Sequence, residues 1–333
     1  MAGRTICNKS CRTALLAVAW LAAWPLAAQT VDAPVECPAC NGSPLLCDRR
    51  YNEVAYATTH NAMSNRQEHW LAPNQNFNLS RQLNDGVRAL MLDLHYFLGR
   101  VYLAHGNVLW GHKSLADGCR DIRLFLDSHP AEVLTLILES RVRPGDIAAA
   151  FHESGLMPYL YAHQPGQPFP TLRMMIAAGK RLVVFTDQGG GAYPWLHPLW
   201  SYCVETPWKA QRPEDLSSRK ERGDMRNPLL IANHFLTYPV ASPRLAHQVN
   251  HNPFFMTRLQ RLTQETGRMP NFIVVDYYDI GNLFEVVDTV NGLPWTQRRS
   301  VPDAPPAANV IVPFTQTPTT GDVNALELAP GRP

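Results

Sequence analysis

Histidines and carboxylates close one apolar run after another along this chain. His60 ends VAYATTH, Asp93 and His95 lie in LMLDLH, His105 is near the end of VYLAHG, Glu139 follows VLTLIL, His234 follows PLLIAN and Asp276 follows NFIVV. Imidazoles titrate near neutrality, so one of a pair can be neutral while the other carries a proton, as a general base and a general acid acting on one reaction require. Carboxylates supply a fixed acceptor that orients an imidazole, or hard oxygen for a cation. Any one of these residues alone reads as an ordinary satisfied polar group, and His95, His112 and His247 keep that reading. A lone Glu139 would likewise be a cap or a salt-bridge partner. Recurrence at the ends of runs is what points to a shared site.

Elements of a particular kind must hold such residues. The runs 134–138 and 272–275 are continuously apolar, which fits strands covered on both faces in a parallel sheet. Leu115, Cys119, Ile122 and Leu126 recur at helical spacing, and the segment from Pro253 to Thr266 opens with Asn252 as a candidate N-cap. Seven or eight strands with helices between them predict an α/β fold of the TIM-like barrel type, with an open doubly wound sheet as the alternative. A parallel barrel collects its working residues at the C-terminal ends of its strands, where these polar residues stand.

The barrel is expected over residues 51–300. Before it, Arg4, Lys9 and Arg12 precede an apolar run from Ala14 to Ala28, the pattern of a secretory signal over residues 1–28. Residues 29–50 form a cysteine-containing segment, and the Pro-rich stretch 301–333 is expected to be a disordered tail. Losing the signal takes three of the 30 basic residues, leaving 27 against 28 acidic ones. The apparent basicity therefore belongs to the signal, and no basic composition argues for nucleic acid as a partner. Export is expected, to the periplasm or outside the cell, and the chain is expected to be monomeric.

Export also permits disulfides. Cys37, Cys40, Cys47, Cys119 and Cys203 remain after cleavage, and Cys40 with Cys47 is the expected pair because the loop between them contains Gly and Pro. One cysteine of the five must stay unpaired. Gly189 to Gly191 lack the Lys-Ser/Thr ending of a nucleotide loop and read as a connection. Tyr193, Trp195, Trp200, Tyr202 and Trp208 read first as core and rim packing and second as a pocket roof or lipid interface.

In order, THNAMS, GVRALMLDLH, LAHG, LILES and VVDYYD resemble the elements of the phosphatidylinositol-specific phospholipase C catalytic domain, over about 51–291. The resemblance implies a phosphodiesterase in which His60 is the general base, His105 the general acid and Asp276 the carboxylate that holds one of them, with Asp279 as its rival. The implied substrate is a phosphoinositide or related phospholipid phosphodiester, with peripheral membrane contact.

Two positions depart from the family pattern. Metal-free relatives carry an arginine where this chain has His95, and metal-dependent relatives carry an acid where it has Met91. Asn61, Asp93 and Glu139 match the remaining metal ligands, so a divalent cation is expected, calcium first and magnesium second. A metal-free site charged by His95 or Arg141 is the alternative, and a zinc or manganese site on His60, Asp93, His95 and His105 ranks below both. Two other functions compete: a catalytically inactive secreted lipid-binding protein on the same barrel, and a glycoside hydrolase using Asp93 and Glu139.

Overall fold

The computed structural model describes residues 39–294, so the expected signal and tail lie outside the described residues. Within them the strands are β1 (Tyr56–Thr59), β2 (Ala89–Phe97), β3 (Arg100–Leu103), β4 (Lys113–Ser114), β5 (Leu134–Ser140), β6 (Leu182–Thr186), β7 (Leu196–Pro198), β8 (Cys203–Glu205), β9 (Leu229–Asn233) and β10 (Phe272–Val275). Leaving out β3 and β4, the hydrogen-bonded order is β7-β6-β5-β2-β1-β10-β9-β8, and the neighbours along it are parallel. The first strand pairs with the last, and the chain order runs round the sheet with one break between β7 and β8. An open doubly wound sheet reverses its strand order instead, so the architecture is a TIM-like barrel left unzipped at one seam.

Alternation along the strands divides the apolar residues into two layers. Leu90, Leu92, Leu134, Leu136, Leu138 and Val184 face outward and pack with the helices. Ala89, Ile137, Val183, Phe185, Ile231, Phe272 and Val274 fill the barrel. Each fully buried side chain of this kind is worth about 1.5–3 kcal/mol relative to exposure, which fixes the register: a slip of one residue would exchange the layers.

The helix Leu115–Ser128 buries the face expected of it, including Leu115, Cys119, Ile122 and Leu126, and Ser114 caps it by accepting from the Asp117 amide. The later helix spans Phe254–Thr266, and Asn252 still serves its start, accepting from the Met256 amide at 3.2 Å. Gly190 is more than a loose connection: a Cβ there would lie 2.3 Å from the Pro198 backbone, so a side chain would force the turn between β6 and β7 apart.

Two expectations change. The VYLAHG run is not a barrel strand, because β3 folds back antiparallel on β2 in a hairpin. Strands β7 and β8 are only three residues each and hide within the aromatic stretch. The cysteine-containing segment packs closely on the barrel: Cys40, Leu46 and Cys47 join Tyr51 in the barrel-filling cluster, where Tyr51 Oη lies 2.6 Å from Thr135 Oγ1. The Cys40–Cys47 disulfide closes this plug, while Cys119 and Cys203 are buried free thiols. Cys37 lies outside the described residues.

Candidate active site

The interior face of the strands turns polar at one end. His60 follows β1, Asp93 lies in β2, Glu139 in β5, Asp187 follows β6, Glu205 closes β8, Asn233 closes β9 and Asp276 follows β10. Asp93 and Glu139 are register partners. These residues sit one step beyond the apolar filling, so the alternation that buries Ile137 and Val274 also points Glu139 and Asp276 inward.

Pairing of Thr59 with Val275 brings His60 beside Asp276, and His60 Nδ1 donates to Asp276 Oδ1 at 3.0 Å. Asn74 donates to the same oxygen at 2.9 Å, and Gln75 donates to the His60 carbonyl at 2.8 Å. The imidazole lies flat against Phe235, ring centroids 3.9 Å apart and planes 12° from parallel. Asn61 turns the chain immediately afterwards with φ 44°, a left-handed conformation that asparagine tolerates better than most residues.

The second histidine arrives by another route. The antiparallel β3 returns the chain until the Ala104 amide bonds the Asp93 carbonyl, and His105 Nδ1 then donates to Asp93 Oδ2 at 3.1 Å. Burial disfavours the His105 cation, but the hydrogen bond and charge of Asp93, helped by Asp276 and Glu139, outweigh it and raise the pKa above the ordinary value. The ring centroids of His60 and His105 are 6.4 Å apart. Each Nδ1 is taken by its own carboxylate, which leaves His60 Nε2 for a substrate and His105 Nε2 with a long contact to the Asn61 side chain.

Both rings line one cavity of about 650 Å³, together with Asn61, Asn74, Asp93, Glu139, Arg141, Asp187, Glu205, Arg222, Trp110 and Trp208. Arg222 bonds the buried Glu205 and stacks over Trp200 at 4.4 Å. Burial raises the Glu139 pKa, as do the negative charges of Asp93 and Asp187, against Arg141 and Arg222. Burial likewise raises that of Asp187.

Of the remaining sequence candidates, Asp279 accepts from Asn76 and leaves the His60 contact to Asp276. His234 is not in the cavity. Asn233 takes the inward position on β9, so His234 faces the helix layer, stacked on Phe255 at 3.9 Å with Nε2 2.9 Å from the Val249 carbonyl. Burial, with the charge of Arg258, pushes its pKa down to about 3. His95 lines the cavity, but burial, reinforced by Arg141 and His105 and only partly offset by Asp93, lowers its pKa and favours the neutral ring. It is thereby a poor source of positive charge, whereas Arg141, loosely paired with Glu139 at 3.7 Å, is a permanent one.

The expected metal ligands lie on the same wall. Among the described residues no three or more His, Cys, Asp or Glu side chains form a metal-holding group, and Asn61 must complete any set with Asp93 and Glu139. The Asn61 amide nitrogen is 3.5 Å from His105 Nε2. An amide and two carboxylates are hard oxygen donors, the chemistry that calcium or magnesium takes.

Asn74, Phe235, Asp187, Glu205 and Arg222 were not singled out from sequence. Asp187 ends an apolar run as the other candidates do, and that signal was available, whereas Glu205 closes a strand of only three residues. Asn74, Phe235 and Arg222 lie in irregular segments whose course only the fold reveals.

The PI-PLC X 1 family model matches residues 46–291. A PI-PLC X domain-containing protein of Arabidopsis thaliana is 28% identical over 304 residues, covering 77% of this chain and 69% of that protein. An uncharacterized secreted protein of Arthroderma benhamiae is 28% identical over 294 residues, covering 78% of this chain and 65% of its own length. Among solved structures, a mutant phosphatidylinositol-specific phospholipase C from Staphylococcus aureus superposes with a TM-score of 0.53 at 16% identity, over 75% of this chain and 94% of that one. The unzipped barrel is the TIM-like fold of these neighbours. This chain belongs to the PI-PLC X family.

Proposed function

We propose that the protein is an exported phosphoric diester hydrolase or lyase acting on phosphoinositide-like or related phospholipid phosphodiesters. The observation that carries this reading is the pair of imidazoles facing one cavity, each with Nδ1 held by a separate carboxylate. His60 Nε2 takes the proton from the attacking hydroxyl, either the substrate's own or that of water. His105, protonated on Nε2, gives its proton to the leaving oxygen as the phosphorus–oxygen bond breaks. Asp276 and Asp93 hold the rings and offset the positive charge each carries in turn.

Asn61, Asp93 and Glu139 would hold a divalent cation, calcium before magnesium, which when bound would offset charge on the non-bridging phosphate oxygens. Arg141, on the same cavity wall, favours a second reading in which that charge is met without a metal. Export rests on the N-terminal sequence pattern and on likeness to a protein named as secreted.

The test is release of water-soluble phosphate ester from a phospholipid panel by wild type, His60→Ala and His105→Ala. Each substitution is expected to cost about 100- to 10,000-fold. Specific lipid binding without turnover, unchanged by either substitution, would instead identify an inactive lipid-binding protein.

A further inference from the structure

His60 and His105 reach the cavity on separate loops, residues 60–78 after β1 and residues 104–112 after β3. Each ring is anchored at its root, His60 by Asp276 and His105 by Asp93, yet between residues 106 and 112 the second loop forms only the single 3-10 turn Val108–Trp110. What holds that loop is the first one. Trp70 is 7% exposed, and its indole lies against Gly111: a Cβ at residue 111 would stand 2.3 Å from Trp70 Cδ2 and 2.4 Å from its Cγ, so no side chain fits there. The Leu71 amide donates to the Trp110 carbonyl at 2.7 Å, and Lys113 Nζ donates to Glu68 Oε1 at 3.0 Å. Packing, a hydrogen bond and an ion pair together join residues 68–71 to residues 110–113.

We propose that Trp70 and Gly111 are positioning residues that set the separation of the general base from the general acid. The proposal rests on the reading of His60 and His105 as that pair. Both sides of the joint lead to a reacting group. On one side the Trp70 amide donates to the Asn65 carbonyl at 3.1 Å, and the Asn74 and Gln75 amides both donate to the Ser64 carbonyl at 3.0 Å. Trp70 thereby belongs to the folded loop from which Asn74 holds Asp276 and Gln75 holds the His60 carbonyl. On the other side the Trp110 indole lies over Gly106, the neighbour of His105, where a Cβ would meet the ring at 3.8 Å. Proton transfers at both ends of one phosphodiester need both imidazoles in place on the same bound substrate, and a misplacement of about 1 Å caused far from the chemistry can cost about 100-fold. Neither Trp70 nor Gly111 lines the cavity, so each acts through its loop.

The experiment is steady-state turnover of a soluble chromogenic phosphodiester, with crystal structures of the same variants. Gly111→Ala forces the joint apart, and Trp70→Leu takes the indole out of it without straining the backbone. Gly267→Ala is the control: Gly267 caps an outer helix at φ 66° with nothing within 4 Å of an added Cβ, so this variant carries backbone strain alone. Both joint variants are expected to lower kcat about 10- to 100-fold with KM little changed. The double variant should lose no more than the worse single one, because both substitutions break one contact. The separation of the His60 and His105 rings should move from 6.4 Å in the joint variants and stay there in the control. Wild-type kcat and ring separation in Trp70→Leu overturn the proposal, whether or not Gly111→Ala folds. An equal loss of kcat in Gly267→Ala does so as well. If wild type cleaves no phosphodiester, the enzymatic reading falls and the ring separation alone decides the joint: displaced rings in Trp70→Leu uphold it, and unmoved rings refute it.

Discussion

Asn74 and His60 meet on one oxygen of Asp276, the amide donating at 2.9 Å and the imidazole at 3.0 Å. The Asn74 carbonyl also accepts from the Tyr277 amide at 2.8 Å, so the loop carrying Asn74 grips the end of β10 on both sides of the carboxylate's own backbone link. Asp276 is 3% exposed, and a carboxylate buried to that depth is costly unless hydrogen-bonded. Asn74→Ala is expected to lower kcat about tenfold with KM little changed, because it disturbs how the base is held. Asn74→Asp should lose more, since it sets a second carboxylate against the first, and should regain part of the loss as pH falls. Steady-state kinetics of the two variants against pH is the check.

Asp93 sets the charge of His105. Removing that charge with Asp93→Asn leaves burial as the larger influence, so the imidazolium should deprotonate at lower pH. An acid catalyst is lost as pH rises through its pKa, so the alkaline limb of the rate profile should move to lower pH in the variant. Titration of the His105 ring by NMR in the presence of chelator reads the same shift without relying on turnover.

The cation question separates at Glu139. If a divalent ion sits on Asn61, Asp93 and Glu139, chelation should abolish turnover and calcium should restore it. Glu139→Gln should then raise the calcium concentration needed by about tenfold or more. Turnover indifferent to chelator, and lost in Arg141→Ala, would assign the charge to the guanidinium.

His234 ties stability to acid. Its pKa lies at about 3 in the folded chain against about 6.5 when exposed. Between these values the unfolded chain binds the extra proton, so stability falls as pH drops through the window, by up to about 1.4 kcal/mol per pH unit. His234→Phe, which preserves the stack on Phe255, should flatten the dependence of urea midpoint on pH between 6 and 4, on the order of 1 kcal/mol or more in total. Equal slopes in variant and wild type would refute the assignment.

Much of the barrel was legible because parallel strands are long apolar runs, and runs such as 134–138 leave little room for another reading. His60, Asp93, Glu139 and Asp276 were legible for the same reason, as polar residues at the point where such a run stops. His105 was found by its place near the end of a run, although that run is a hairpin strand; a strand's direction is set by its partner and leaves no mark in its own residues. Short strands such as β7 and β8 fall below the length at which periodicity speaks. His234 misled because the end of a run does not say which face the next residue takes, and on β9 Asn233 had already taken the inward one. Asn74 and Arg222 sit in loops, where nothing local announces what the chain will pass.

The pairing of β1 with β10 also sets when the site can be complete. His60 and its carboxylate lie 216 residues apart, and β10 is the last strand of the barrel. A nascent chain carries His60 early, yet lacks Asp276 and the strand that positions it until almost the whole domain has left the ribosome. No truncated product ending before residue 276 contains the pair of His60 with its carboxylate, so under the proposed chemistry a partial chain has no finished base.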